Sequence, residues 1–248
     1  MKYSAVTICF NSEAVIARTI ESVLNQKTDS DVEIEYLIID GLSKDRTVEI
    51  AESYRSRMEE KGIDYKIFSE KDNGIYDAMN KGISKATGEL TGLINSGDTY
   101  EPNMIDTAVK AYLEEKYDIF YADINLVKEN GSVIVKRSKK DKFPTSRHWN
   151  HPTMVVRSDY YREIGAYKCV GIHDDFEFFL RARKKNAKIT IKNVVLANFA
   201  TGGASNQKSF KKCKSRCHDR YVAYRSNGYG IWCLFECVAI EIAKFILS

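Results

Sequence analysis

The 248-residue chain lacks a strong charge of either sign. Its 38 basic and 34 acidic residues leave a formal net of +4, which excludes a genome-binding footprint and removes nucleic acid from the expected partners. The opening "MKYSAVTICFNSE" turns polar after one short apolar run, so it reads as no secretory signal, and the expected location is the cytoplasm. Cys9, Cys169, Cys213, Cys217, Cys233 and Cys237 then read as reduced thiols. The pairs 213/217 and 233/237 would each share a helical face, but zinc sites use tighter spacings in loops. No GxGxxG and no P-loop pattern occurs, which disfavours a dinucleotide fold or an ordinary kinase. There is no repeat, low-complexity segment or clear linker. With 44% hydrophobic residues the chain can bury a substantial core, as one large domain or one domain with an appendage.

What is present is alternation. Tyr3–Phe10, Glu35–Asp40, Asp64–Ser69, Leu90–Asn95 and Asp118–Ala122 are strand-like. Between them, Ala14–Gln26, Asp45–Met58, Ile75–Ala86 and Asn103–Glu115 carry helical periodicity. This order predicts a mostly parallel sheet covered on both faces, with ligands at the carboxyl ends of the strands. Asn130-Gly131 between two β-like runs predicts a hairpin, a small antiparallel element grafted onto that sheet. Further on, "HPTMVVR" reads as a strand, Ser158–Ile164 and Asp174–Lys185 as helices, and Ile189–Leu196 as a strand.

Residues 206–248 read as a basic and amphipathic helical extension of a domain spanning 1–205. Lys136–Lys142 and Lys208–Arg225 are locally basic. Gly228–Ser248 is the most apolar stretch, but Glu236, Glu241 and Lys244 share one side of its wheel, so it is amphipathic and not membrane-spanning. Two readings stay open: a helix docked on the domain, or an interfacial helix on a membrane beside the basic cluster.

Four strand ends carry polar residues that can converge: Asn11, Asp40, Ser69–Gly74 and Asn95–Asp98. Singly, each reads as a turn former or helix cap; in register, they predict a pocket. Gly97 allows close backbone approach. One carboxylate with neighbouring oxygens suits a hard divalent cation that completes its shell with phosphate and water.

The succession "VTICFN", "YLIIDGLSKDRT", "SEKDNGIYDAMNKGISKATGE", "LINSGD", "HPTMVVRSDYYREIGAY", "HDDFEFFLRARKKN" and "FATGGAS" resembles the family 2 glycosyltransferases of bacterial polysaccharide assembly over roughly residues 3 to 205. The resemblance implies a GT-A type, Rossmann-like α/β fold. It also implies inverting transfer of a sugar from a nucleotide diphosphate donor, with Mn²⁺ or Mg²⁺, onto a hydroxyl of a lipid-linked or oligosaccharide acceptor. Carried onto this chain, it puts Thr7 and Asn11 at the nucleotide pocket and Asp40 at the N–H edge of the nucleobase, with a UDP-sugar first. Lys71 and Asp72 fall in the loop over the nucleoside, Asp77 and Asn80 facing the sugar-diphosphate, and Asn95, Ser96, Gly97 and Asp98 at the metal motif. Asn95 and Gly97 stand where other members carry aspartates, and fewer negative ligands weaken the hold on a cation.

The reaction needs a base for the acceptor hydroxyl. Asp174 and Asp175 begin a predicted helix and on their own read as acids favoured by its dipole. The resemblance makes Asp175 the preferred base and Asp174 the second. His151 and His173 are weaker candidates for acceptor or diphosphate contact, and His218 for the metal. Gly202 and Gly203 are expected to form a turn under the acceptor cleft. A nucleotidyltransferase would carry a glycine-rich basic loop after the first strand, which "CFNSEAV" lacks. A non-catalytic nucleotide-sugar binding protein would have lost the acid pair. The implied site of action is the cytoplasm, with the inner face of the cell membrane following from the interfacial reading of the tail.

Overall fold

The computed structural model describes residues 1–29, 31–201 and 210–247. It begins with β1 (Lys2–Cys9), α1 (Ile16–Leu24) and β2 (Glu33–Asp40), then α2 (Thr47–Glu52), α3 (Arg55–Glu60) and β3 (Asp64–Ser69). There follow α4 (Ile75–Lys85), β4 (Leu90–Asn95), a two-residue β5 (Thr99–Tyr100), α5 (Met104–Glu115), β6 (Ile119–Val127) and β7 (Val133–Lys136). A 3-10 turn, His151–Thr153, leads to β8 (Val155–Arg157), α6 (Ser158–Ile164), α7 (Asp174–Lys184) and β9 (Ile189–Ala200), and the described chain closes with α8 (Phe210–Ser226) and α9 (Cys233–Leu247).

The strands form one mixed sheet in the order β3-β2-β1-β4-β8-β6-β9-β5, with β7 on β6. Strands β3, β2, β1 and β4 are mutually parallel, as are β6 and β9. The antiparallel pairings are the short ones through β8 and β5 and the β6–β7 hairpin, whose turn uses Gly131 at φ +80°. The expected mixed α/β architecture with a grafted hairpin is present.

Side chains alternate across the sheet and feed two cores. Tyr3, Ala5, Tyr36 and Ile38 pack with Ile16, Ile20 and Val23 of α1 and Ile105 and Val109 of α5. Val6, Ile8, Leu37 and Ile39 pack on the other face with Met79 of α4, with Phe176 and Phe179 of α7, and with Tyr224 of α8.

One local expectation changes. The single helix over 45–58 is split, because Ser53 Oγ donates to the Ile50 carbonyl at 2.7 Å, the acceptor a continuing helix would offer to Tyr54 N–H. Tyr54 N–H turns instead to Ala51 O. The tail helix docks on α8, with Cys233, Cys237, Ile240 and Glu241 inward. Glu241 of α9 is buried and accepts from Arg216 and Arg220 of α8, both themselves buried, while Leu234, Phe235, Val238 and Ile242 face outward.

At the amino end of the sheet, the fully buried Glu35 joins three segments. It accepts from Ser4 Oγ of β1 at 2.6 Å and from Thr87 N and Oγ1, before β4, at 2.8 Å each, with Lys2 and Lys66 at 3.4 Å. Burial alone would raise its pKa, but the Ser4 and Thr87 hydrogen bonds and the Lys2 charge outweigh that and lower it to about 2. A carboxylate lowered in the fold contributes stability above its unfolded value near 4.5, and that stability is lost as pH falls toward 2. Glu35→Gln should therefore cost about 2–4 kcal/mol at pH 7 in denaturant titration and flatten the acid-unfolding profile below pH ~4.5. An unchanged midpoint and profile would remove Glu35 from this role.

Candidate active site

The carboxyl ends of β1, β2 and β4 lie side by side: Cys9 is opposite Asp40, and Ile8 is opposite Asn95. Thr7 is buried just below this edge, its hydroxyl 2.8 Å from Tyr36 OH. Asn11, exposed and at φ +46°, clips the β1 tip to the loop after β2: its side chain accepts from Lys44 N and its backbone N–H donates to Ser43 Oγ, both at 2.8 Å.

Asp40 departs from its expected role. It is fully buried, and both oxygens are taken from within the protein: Ser43 N at 3.0 Å, Ser69 Oγ at 2.6 Å, the Ser43 hydroxyl, and the Cys9 thiol at 3.7 Å. The Cys9 thiol is equally near Ile39 O, so three of a carboxylate's about four acceptor positions are committed, by Ser43 and Ser69, to fixing the loop after β2. Directly above it, the space that a side chain on Gly41 would occupy is filled by the carboxylate of Asp72. Asp72 is half-buried and accepts from Gly74 N at 2.9 Å. Lys71 is exposed beside it, and its carbonyl accepts from Lys81 Nζ.

The turn after β4 is pinned from α1. Thr19 Oγ1 accepts from Gly97 N at 2.8 Å and donates to Asp98 O at 2.7 Å, while Ser12 and Ser96 hydroxyls meet at 2.8 Å. Gly97 is required at φ +98°, where a side chain would be strained and would crowd Arg18. Asp98 is 5% exposed, and its Oδ1 accepts from Ala200 N at the end of β9 at 3.0 Å. Burial pushes its carboxyl up to about 7, partly offset by the Ala200 bond and the charge of Arg18. Asn95 Oδ1 in the same turn is buried without a hydrogen-bond donor. Asp98 Oδ2 and Asn95 Oδ1 are hard oxygens of the kind a divalent cation takes. Among the described residues no cluster of three or more His, Cys, Asp or Glu gathers to hold a metal, and His218 lies exposed on α8.

The two acids opening α7 have different surroundings. Asp174 is buried, with Oδ2 accepting from Val170 N at 2.7 Å and Gly171 N at 3.3 Å; burial raises its pKa against those bonds. It ties down the loop before α7. Asp175 is half-buried, and its Oδ1 accepts from Tyr76 OH of α4 at 2.9 Å and from Phe176 N at 2.8 Å. The Tyr76 hydroxyl also lies 3.0 Å from Ile172 O, so its single proton is shared between the two acceptors, and its ring packs against Tyr167 at 5.4 Å.

Asn80, on the same helix, makes paired bonds with the Tyr167 backbone at 2.8 and 3.0 Å, and Asp77 accepts from Asn73 N at 2.9 Å. So α4 carries the loop at 70–74 at one end and holds the α7 acid at the same end. His151 is buried against Tyr167, 3.3 Å from its hydroxyl, and burial lowers its pKa although Asp175 opposes this. His173 caps α7 and is half-buried. Gly202 and Gly203 lie outside the described residues.

Tyr76, Thr19 and Arg18 were not singled out in the sequence. Helical periodicity assigns Thr19 to the apolar face of α1, and it does face inward there, but with its hydroxyl spent on the turn after β4. Tyr76 lies within the quoted motif, yet only the fold brings it to a residue 99 positions away.

Asp98 generates a measurable consequence. An acid whose folded pKa is raised from 3.8 to about 7 contributes most stability below pH 3.8 and loses it as pH rises toward 7. The amide introduced by Asp98→Asn mimics the neutral acid, so in chelator-treated protein this variant should be more stable than wild type at pH 8, by on the order of 4 kcal/mol, with the gain shrinking toward pH 4. Equal stability at both pH values would contradict the burial of a charged Asp98.

The signature of the family described as Glycosyl transferase family 2 matches residues 4–181. An uncharacterized glycosyltransferase of Mycobacterium tuberculosis is 33% identical over 218 residues, covering 83% of this chain and 77% of its own length. A PGL/p-HBAD biosynthesis glycosyltransferase of Mycobacterium bovis is 28% identical over 213 residues, covering 82% and 79%. Among solved structures, S. aureus TarS 1-349 in complex with UDP-GlcNAc superposes over 100% of this chain and 73% of that one, with a TM-score of 0.70 at 18% identity. The mannosyltransferase PcManGT from Pyrobaculum calidifontis, in complex with GDP-Man and Mn²⁺, covers 99% and 75%, with a TM-score of 0.61 at 12% identity. The sheet with its acid-rimmed edge is therefore that of a GT-A-like enzyme, and the chain belongs to glycosyl transferase family 2.

Proposed function

We propose that this glycosyltransferase moves a hexose-type sugar, with inversion, from a nucleotide diphosphate donor, UDP-sugar first, to a hydroxyl of a lipid-linked or oligosaccharide acceptor in cell-surface polysaccharide synthesis. The observation that carries the reading is the arrangement of Asp175: Oδ1 is fixed by Tyr76 and the Phe176 N–H, which leaves Oδ2 for an acceptor hydroxyl. The bound UDP-GlcNAc of TarS and the GDP-Man and Mn²⁺ of PcManGT support the donor and metal classes.

In this reading the nucleoside lies over the tips of β1 and β2. Asp72, filling the space above Gly41, accepts from the N–H edge of the base, while the fully buried Asp40 holds Ser43 and Ser69. Asn11 borders the pocket, while Lys71, Asp77 and Asn80 line the side toward the sugar-diphosphate. Asp98 Oδ2 and Asn95 Oδ1 would hold Mn²⁺ or Mg²⁺, which when bound neutralises charge on the departing diphosphate. Asp175 takes the acceptor proton as the oxygen attacks the anomeric carbon from the face opposite that diphosphate. Tyr76 keeps the carboxylate aimed, and the neutral His151 beneath it adds no competing cation.

Asp175→Asn should lower turnover about 10²–10⁴-fold in an acceptor-dependent assay of nucleotide diphosphate release, while donor affinity stays near wild type. Full turnover by this variant would dismiss Asp175 as the base. Asp72→Asn should raise the KM for UDP-sugar about tenfold with kcat little changed, since it removes a ground-state contact. A lower kcat at constant KM would place Asp72 in the chemistry and not in base recognition.

A further inference from the structure

The tail hairpin exposes what a water-facing helix ordinarily buries. Around α9, Phe235 is 81% exposed and Ile231 71%, with Trp232, Leu234, Val238 and Ile242 all exposed beside them. The inversion has a local cause. Arg216 and Arg220 of α8 are buried and need a counter-charge, so Glu241 of α9 turns inward beside Cys233, Cys237 and Ile240, and the larger apolar residues Leu234, Phe235, Val238 and Ile242 are left outside.

Cations flank this apolar row at both ends. At the start of α9, Arg147 lies 3.6 Å from Glu236, and Lys142 adjoins Phe143, whose ring packs on Trp232 at 4.1 Å. Toward its far end, Lys212 and Lys214 are exposed on α8, one turn before the Arg216–Glu241 pair. The neighbouring acids are already engaged: Glu236 by Thr145 and Arg147, Glu241 by the two arginines, and Asp141 by His148.

We propose that this face binds an anionic lipid surface, with the apolar row at the headgroup–acyl boundary and the flanking Lys142, Lys212 and Lys214 on lipid phosphates. A second copy of the chain fits less well, because a two-fold contact would bring the same cations against one another. A bilayer bearing anionic headgroups neutralises them, and Trp232 suits that boundary by having an apolar body and a polar N–H. The attachment would be peripheral: among the described residues no helix is long and apolar enough to cross a membrane. Since α9 packs on α8, and α8 on α7, the bound surface would set the orientation of the Asp175 end of α7. Lipid binding by this face is independent of the transfer reaction and is measured without donor or acceptor.

The test is flotation of the full chain with vesicles of phosphatidylcholine alone or with about 30% phosphatidylglycerol, together with Trp232 fluorescence. Trp149 is buried and serves as a constant background. Wild type should float with the anionic vesicles, show a blue shift, and be partly released by high salt. Ile231→Ser with Phe235→Ser should weaken partitioning about tenfold or more, and Lys212→Glu with Lys214→Glu should abolish the preference for anionic lipid. All four side chains are exposed, so the thermal midpoint should hold. Wild type that binds neither vesicle, or binds both equally without salt dependence, would overturn the proposal. So would a concentration-dependent dimer that buries Trp232 in the absence of lipid, which would assign the face to a second copy.

Discussion

β1 runs in parallel register between β2 and β4, with Cys9 opposite Asp40 and Ile8 opposite Asn95, and the site depends on that pairing. A slip of one residue would exchange the two faces of β1, moving Val6 and Ile8 into the core that holds Tyr3 and Ala5. The tips would also lose their common level. Glu35 guards the same register from the other end, since its carboxylate binds β1 through Ser4 and the segment entering β4 through Thr87.

From this fixed edge, the candidate site acids are positioned by neighbouring residues. Thr19 holds the turn that ends at Asp98, and Ala200 holds the Asp98 side chain from the far half of the sheet. Tyr76 reaches from the first turn of α4 to Asp175 at the first turn of α7. Two halves of the chain therefore meet through hydrogen bonds with aromatic packing behind them: Tyr76 on Tyr167, and Phe176 on Tyr224. The cost is a buried, reluctantly ionised Asp98, the kind of local instability that ligand sites keep.

Much of this was legible in residues alone. Apolar runs stopped by polar turns gave the strands their places, and Asn130-Gly131 gave the hairpin, because turn chemistry and period-two burial are local properties. Less legible were the short β5, the 3-10 turn that opens the "HPTMVVR" stretch before β8, and the break at Ser53, where one hydroxyl competes for one carbonyl. Asp40 shows the limit for the site. Its position at a strand tip was correctly read, but whether its oxygens face a ligand or Ser43 and Ser69 depends on loops that meet only in three dimensions.

By itself, the sequence determined the alternation of strands and helices, the family and the acids available, since these follow from patterns within a few residues and from motif order. Only the tertiary structure separated Asp175, free on one oxygen and aimed by Tyr76, from the pinned Asp174. Only it showed that Glu241 of the tail helix turns inward. A wheel records which residues share a side, whereas the direction of that side is set by what it packs against, here two buried arginines.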